Sequence, residues 1–98
     1  MKMTFKTNEY FDGKVKSIAF TATTDSKTLP ATVGVMAVGD YVFNTNDKEK
    51  MTVVSGAMTI SLSGETKTFK AGESFNVEAN SAFDVSIKEE TAYLCVYG

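Results

Sequence analysis

Apolar and polar residues alternate with a period of two along much of the chain. Met58, Ile60 and Leu62 interleave with Thr59, Ser61 and Ser63, and Phe83, Val85 and Ile87 interleave with Asp84, Ser86 and Lys88. This period predicts strands with one buried face and one wet face. Residues 31–38 are nearly all small and apolar, which predicts a strand covered on both faces. Tyr41-Val42-Phe43 and Tyr93-Leu94-Cys95-Val96-Tyr97 are rich in the aromatic and β-branched residues that strands favour. Gly56, between Val53-Val54-Ser55 and Ala57-Met58, predicts strand, tight turn, strand; Gly64 and Gly72 mark further turns. Residues 23–30 are polar, end in Pro30, and read as a loop. No segment carries a 3.6-residue period. Some eight or nine short strands with regular turns predict an all-β sandwich or barrel. Ninety-eight residues suit a single domain over residues 1–98, with residues 1–7 as a loose N-terminal segment.

Two spacings choose between sandwich and barrel. Glu49 is followed by six residues and then the turn glycine Gly56, and Phe83 comes eleven positions after the turn glycine Gly72. Both fit the frame of the cupin, a double-stranded β-barrel of jelly-roll type. In metal-binding cupins the later position is His, and two more His precede the Glu. The corresponding positions here are Phe83 and the neighbourhood of Phe43 and Thr45, and the chain contains no His at all. One Cys and scattered carboxylates make a poor cage for a transition metal, so neither metal nor any other cofactor is expected.

Charge narrows the partners. A net charge of −2 argues against binding nucleic acid, which calls for a basic surface. All ten cations are Lys, so an anion must be held by ammonium groups or backbone N–H donors, without a guanidinium fork. Cys95 is the only cysteine, which rules out an intrachain disulfide and suits a reducing compartment. There is no signal-peptide pattern at the N-terminus and no stretch of about 20 apolar residues, so the expectation is a cytoplasmic protein with no membrane partner.

Few residues offer chemistry. Without His, no Ser-His or Cys-His pair can form, and Cys95, between Leu94 and Val96, reads as a small buried hydrophobe. Glu49, at the start of a buried strand, is the stronger candidate acid or polar anchor; Glu73, after a turn glycine, reads as an exposed turn residue. By alternation Lys14, Lys16, Ile18 and Phe20 share one strand face. If Ile18 and Phe20 face the core, the two Lys stand over the barrel mouth and attract an anion such as phosphate; if the strand frays early, both are solvated. Tyr10, Phe11, Tyr41, Phe43, Phe83 and Tyr93 are candidates to stack a planar base, against the plainer reading of each as core.

Several segments, in order and at their spacing, resemble the small cupin-type pyrimidine/purine nucleoside phosphorylases. They are Asn8-Glu9-Tyr10-Phe11-Asp12-Gly13-Lys14-Val15-Lys16-Ser17-Ile18, Val33-Gly34-Val35-Met36, Gly39-Asp40-Tyr41-Val42-Phe43, Glu49 through Ala57, Phe75-Asn76-Val77 and Tyr93-Leu94-Cys95. The resemblance spans about residues 8–97. It implies phosphorolysis of purine and pyrimidine nucleosides to free base and ribose 1-phosphate, with inorganic phosphate as co-substrate, and a homodimer. The chain departs from the family pattern at Glu78-Ala79-Asn80-Ser81, where Pro and His occur, and at Val96, where Arg occurs. A non-catalytic small-molecule-binding or structural cupin is the other reading.

Overall fold

The computed structural model describes residues 6–23 and 27–98. It contains ten strands among the described residues: β1 (Lys6–Tyr10), β2 (Val15–Thr23), β3 (Thr28–Met36), β4 (Gly39–Asn44), β5 (Glu49–Ser55), β6 (Ala57–Leu62), β7 (Glu65–Lys70), β8 (Ser74–Val77), β9 (Ala82–Ile87) and β10 (Thr91–Tyr97). They form a six-stranded sheet in the order β1-β2-β3-β10-β5-β8 and a four-stranded sheet in the order β4-β9-β6-β7. Every pairing is antiparallel. The non-consecutive neighbours are those of a jelly roll, and the fold is that of a cupin. No described helix is long and apolar enough to cross a membrane.

The alternating strands bury the side chains the pattern selects. Met58 and Ile60 from β6, and Phe83, Val85 and Ile87 from β9, meet Val15, Met36, Met51, Val53 and Val77 of the larger sheet in one core. Gly56 does not close a hairpin. It turns the chain from β5 in one sheet to β6 in the other, at a φ of 90° that side chains rarely adopt. A Cβ there would also meet the Thr91 hydroxyl, which accepts from Ala57 N at 3.2 Å and donates to Ala57 O at 3.0 Å.

Three local expectations need correction. The loop expected over residues 23–30 is shorter: Thr23 ends β2 and Thr28–Pro30 begin β3, while residues 24–26 lie outside the described ones. Pro30 pairs with Thr21 but sits past the last β3–β10 pair, Ala31 with Val96, so its missing N–H interrupts no second ladder. Of the N-terminal segment expected to be loose, residues 1–5 lie outside the described ones, and Lys6 and Thr7 already belong to β1. The strand expected to be covered on both faces is β3, and its outer face is open, with Val33 and Val35 exposed at 41% and 44%. An uninterrupted apolar run signals cover on both faces only if something lies on each, and none of the described residues covers Val33 and Val35 on this face.

Register lays out that outer face. Lys16, Val35 and Ala92 form one row across β2, β3 and β10; Ile18, Val33 and Leu94 form the next; Phe20, Ala31 and Val96 form the third. Eight of these nine positions are apolar.

Candidate active site

A cavity of about 570 Å³ is lined by residues of both sheets. Its floor comes from the large sheet. Tyr93, Cys95 and Tyr97 point inward along β10, beside Glu49 and Met51 of β5 on one flank and Thr32 of β3 and Ser17 of β2 on the other. Its wall is aromatic. Phe43 of β4 stacks on Phe83 of β9 at 5.7 Å between ring centroids, and Phe11 meets Phe43 edge-on at 5.6 Å. Phe11 reaches that position from the β1–β2 turn, where it and Asp12 hold φ values of 54° and 57°. A bulky side chain is unusual in that region, and strained backbone of this kind concentrates at functional sites. Asn44, Asn46 and Asp47 form a polar rim.

The floor is a hydrogen-bonded set. Cys95 Sγ donates to Glu49 Oε1 at 3.4 Å, and the Tyr97 and Thr32 hydroxyls share a bond at 3.1 Å. Asn8 Nδ2 donates to Ser17 Oγ at 3.5 Å, and Ser17 lines the cavity together with Tyr93. Burial shifts the titrating groups upward. The Cys95 thiol and the Tyr93 phenol are each pushed to about 12, mainly by desolvation, with Glu49 adding to the Cys95 shift. Desolvation raises Tyr97 as well. Glu49 is raised by burial and by the nearby Asp47 charge, against the Cys95 hydrogen bond, which favours the carboxylate. Near neutral pH the thiol and both phenols are therefore protonated donors, and Glu49 is the floor group that takes up or releases a proton at the lowest pH.

The cavity gathers Glu49, Tyr10, Phe11, Phe43, Phe83 and Tyr93 from the residues singled out in the sequence. Tyr41 stands one layer back: it is buried, donates to Ala37 O at 2.6 Å, and packs on Phe11 at 4.9 Å. Lys14 and Lys16 are not brought to the cavity. Of the two readings of β2, the one that turned Ile18 and Phe20 to the core does not hold, because Val15 and Ser17 are its buried positions. Lys16 therefore lies on the outer face, paired across the sheet with Glu9 at 3.5 Å and well exposed. Alternation gave the correct pairing of residues but not which set faces inward, since Ile18 and Phe20 are as apolar as the residues that do.

Tyr97, Thr32, Ser17 and the rim residues were not anticipated. Tyr97 was within reach, since it shares its strand face with Tyr93 and Cys95. Thr32 and Ser17 carry no such signal, because only strand pairing sets them beside β10. The two departures from the family pattern also lie off the cavity lining: Val96 is in the outer-face grid, and Asn80 occupies an exposed turn at a φ of 55°.

The sequence profile of the pyrimidine/purine nucleoside phosphorylases matches residues 5–97. The chain belongs to that family. It is 61% identical over 97 residues to a Psychromonas ingrahamii protein named pyrimidine/purine nucleoside phosphorylase, covering 97% of this chain and 99% of the relative. It is 58% identical over 95 residues to a Magnetococcus marinus protein of the same name, covering 95% and 98%. Among solved structures, a Vibrio parahaemolyticus protein of unknown function superposes with a TM-score of 0.87 at 44% identity, over 98% of this chain and all of that one. An RmlC-like cupin from Shewanella frigidimarina superposes at 0.72 over 91% of this chain and 79% of its own; at 19% identity it speaks to the fold alone.

Proposed function

We propose that this member of the family cleaves purine and pyrimidine nucleosides with inorganic phosphate, releasing free base and ribose 1-phosphate. The observation that carries the reading is the cavity, which sets an aromatic wall opposite a floor whose one carboxyl is Glu49. Its volume of about 570 Å³ falls within the usual range for small-molecule sites. Phosphate is the nucleophile, so no residue need attack covalently. The N-glycosidic bond opens through a cationic, oxocarbenium-like sugar, and the site must align phosphate with the anomeric carbon and stabilise that charge. Phe11, Phe43 and Phe83 stack the base; Tyr10 and Tyr93 flank the nucleoside; Tyr41 supports Phe11 from behind. Glu49 is the catalytic carboxyl beside the sugar. Stacking accepts either base class because every base has a π-face. The direct experiment is incubation with uridine and with inosine, with and without phosphate. Free base that appears only with phosphate supports the reading, and its absence refutes it.

Activity is proposed to need no metal. The chain has no His, and no group of three or more metal-binding side chains occurs among the described residues. Exhaustive chelation should leave the rate of base release unchanged. A loss that zinc, manganese or iron restores would overturn this.

A homodimer is proposed to cover the outer apolar grid around Val33 and Leu94. An open sheet face of this kind favours association, and small homo-oligomers are most often two-fold. Light scattering at micromolar concentration should give twice the chain mass, and Val33→Lys should shift it toward the monomer. A wild-type monomer at that concentration would count against the dimer. The lone buried thiol suits a reducing compartment, and we place the protein in the cytoplasm.

A further inference from the structure

The charged side chains lining the cavity, among the described residues, are Asp47 and Glu49, both carboxylates. The chain has no Arg, and Lys16 sits across the sheet on Glu9. A phosphorylase site without a lining cation must hold its anion by other means. An ionised carboxylate can only accept hydrogen bonds. Beside it, a fully deprotonated oxyanion meets like charge with no lining cation to offset it, whereas an oxyanion that keeps a proton can donate its O–H in a charge-assisted bond. Cys95 occupies Glu49 Oε1, and a carboxylate has about four lone-pair sites, so acceptor capacity remains for a ligand.

We propose that Glu49 selects the protic oxyanion, accepting the O–H of phosphate or arsenate and rejecting sulfate, which carries no proton at neutral pH. This rests on the phosphorylase reading above. The proton balance of the reaction fits. As hydrogen phosphate attacks, a C–O bond forms at the anomeric carbon, the C–N bond breaks, and its electron pair leaves on the base nitrogen. The phosphate gives up one proton in becoming the ribose 1-phosphate dianion, and the departing base takes up one. Glu49 accepts the proton that phosphate loses and passes it on to the departing base, so the carboxylate is regenerated and the protein ends in the protonation state in which it began. Nothing is oxidised or reduced. Burial, and the Asp47 charge with it, strengthens the hold of Glu49 on a proton against the Cys95 hydrogen bond, which suits a group that must carry one briefly. Sulfate can neither bind by this contact nor supply the proton.

The test uses the intact protein. With uridine as substrate and phosphate varied, a large excess of sulfate should leave the rate unchanged, and arsenate should replace phosphate in releasing base. Calorimetric titration of Glu49→Gln with each inorganic anion should show the preference for phosphate over sulfate reduced by about tenfold or more, since an amide can donate to either. Calorimetry keeps the variant informative even where its turnover is too slow to follow. Asp47→Asn should keep the wild-type preference. Sulfate competing with phosphate at comparable concentration in the wild type would overturn the inference. So would a preference that persists in Glu49→Gln, or one that is lost in Asp47→Asn instead. Absence of phosphate-dependent base release in the wild type is a separate result: it removes the phosphorylase reading, and this inference with it.

Discussion

Replacing Glu49 with Gln lowers kcat/KM for nucleoside phosphorolysis by about two to three decades, the range expected when a positioned proton-transfer group or charge stabiliser is removed. The amide keeps the shape of the side chain and can still meet the Cys95 thiol, so the loss is chemical rather than structural. Stability should move the other way. Burial raises the Glu49 pKa, so the folded protein binds this proton more tightly than the unfolded chain does. That contribution is fully present below the unfolded value and disappears as pH rises through the folded one. Above it, the wild type carries an ionised, half-buried carboxylate that the variant lacks. The melting temperature of Glu49→Gln relative to wild type should therefore rise from mildly acidic to neutral pH. A variant with wild-type kcat/KM would remove Glu49 from the chemistry, and a difference in melting temperature that falls with pH would contradict the direction of the pKa shift.

Gly34→Ala should be strongly destabilising. Gly34 lies mid-strand in β3, paired with Ser17 on one side and Tyr93 on the other. A Cβ there would stand 2.8 Å from the Tyr93 hydroxyl and 2.9 Å from Ser17 Cβ, and would also press on the Lys16 carbonyl oxygen. Two of these neighbours are backbone or the first side-chain carbon, which cannot swing aside as the end of a flexible side chain can. Overpacking a filled core costs up to about 3 kcal/mol. For a domain of this size that lowers the melting temperature by roughly 12–24 °C. If β3 shifts to relieve the clash, Tyr93 leaves its place in the cavity floor, so activity at a permissive temperature should fall too. A melting temperature within about 4 °C of wild type would show that the sheet yields more easily than its packing suggests.

Much of the architecture was legible because it depends on local pattern. Period-two alternation placed Met58, Ile60, Phe83, Val85 and Ile87 in the core, and the turn glycines marked where strands end. The spacings from Glu49 to Gly56 and from Gly72 to Phe83 captured two inward positions of the barrel. The site was only partly legible. Glu49, Phe11, Phe43, Phe83, Tyr10 and Tyr93 were named, but as separate candidates, since nothing in their order along the chain says that they surround one cavity.

The linear pattern was enough for the class of fold, the strands and the residues that alternate together, because these follow from backbone geometry and the burial of apolar side chains within a few residues. Pairing between distant segments settled the rest. On β2 both alternate sets contain apolar residues, so local burial favours neither, and contact with β3 and the opposite sheet turned Val15 and Ser17 inward and Lys16 outward. The floor of the cavity has the same origin. Thr32, Glu49 and Cys95 meet only because β10 lies between β3 and β5, with register setting Cys95 beside Thr32 and Tyr97 beside Glu49. Such long-range register minimises the free energy of the whole sheet at once, and no single segment of the chain encodes it.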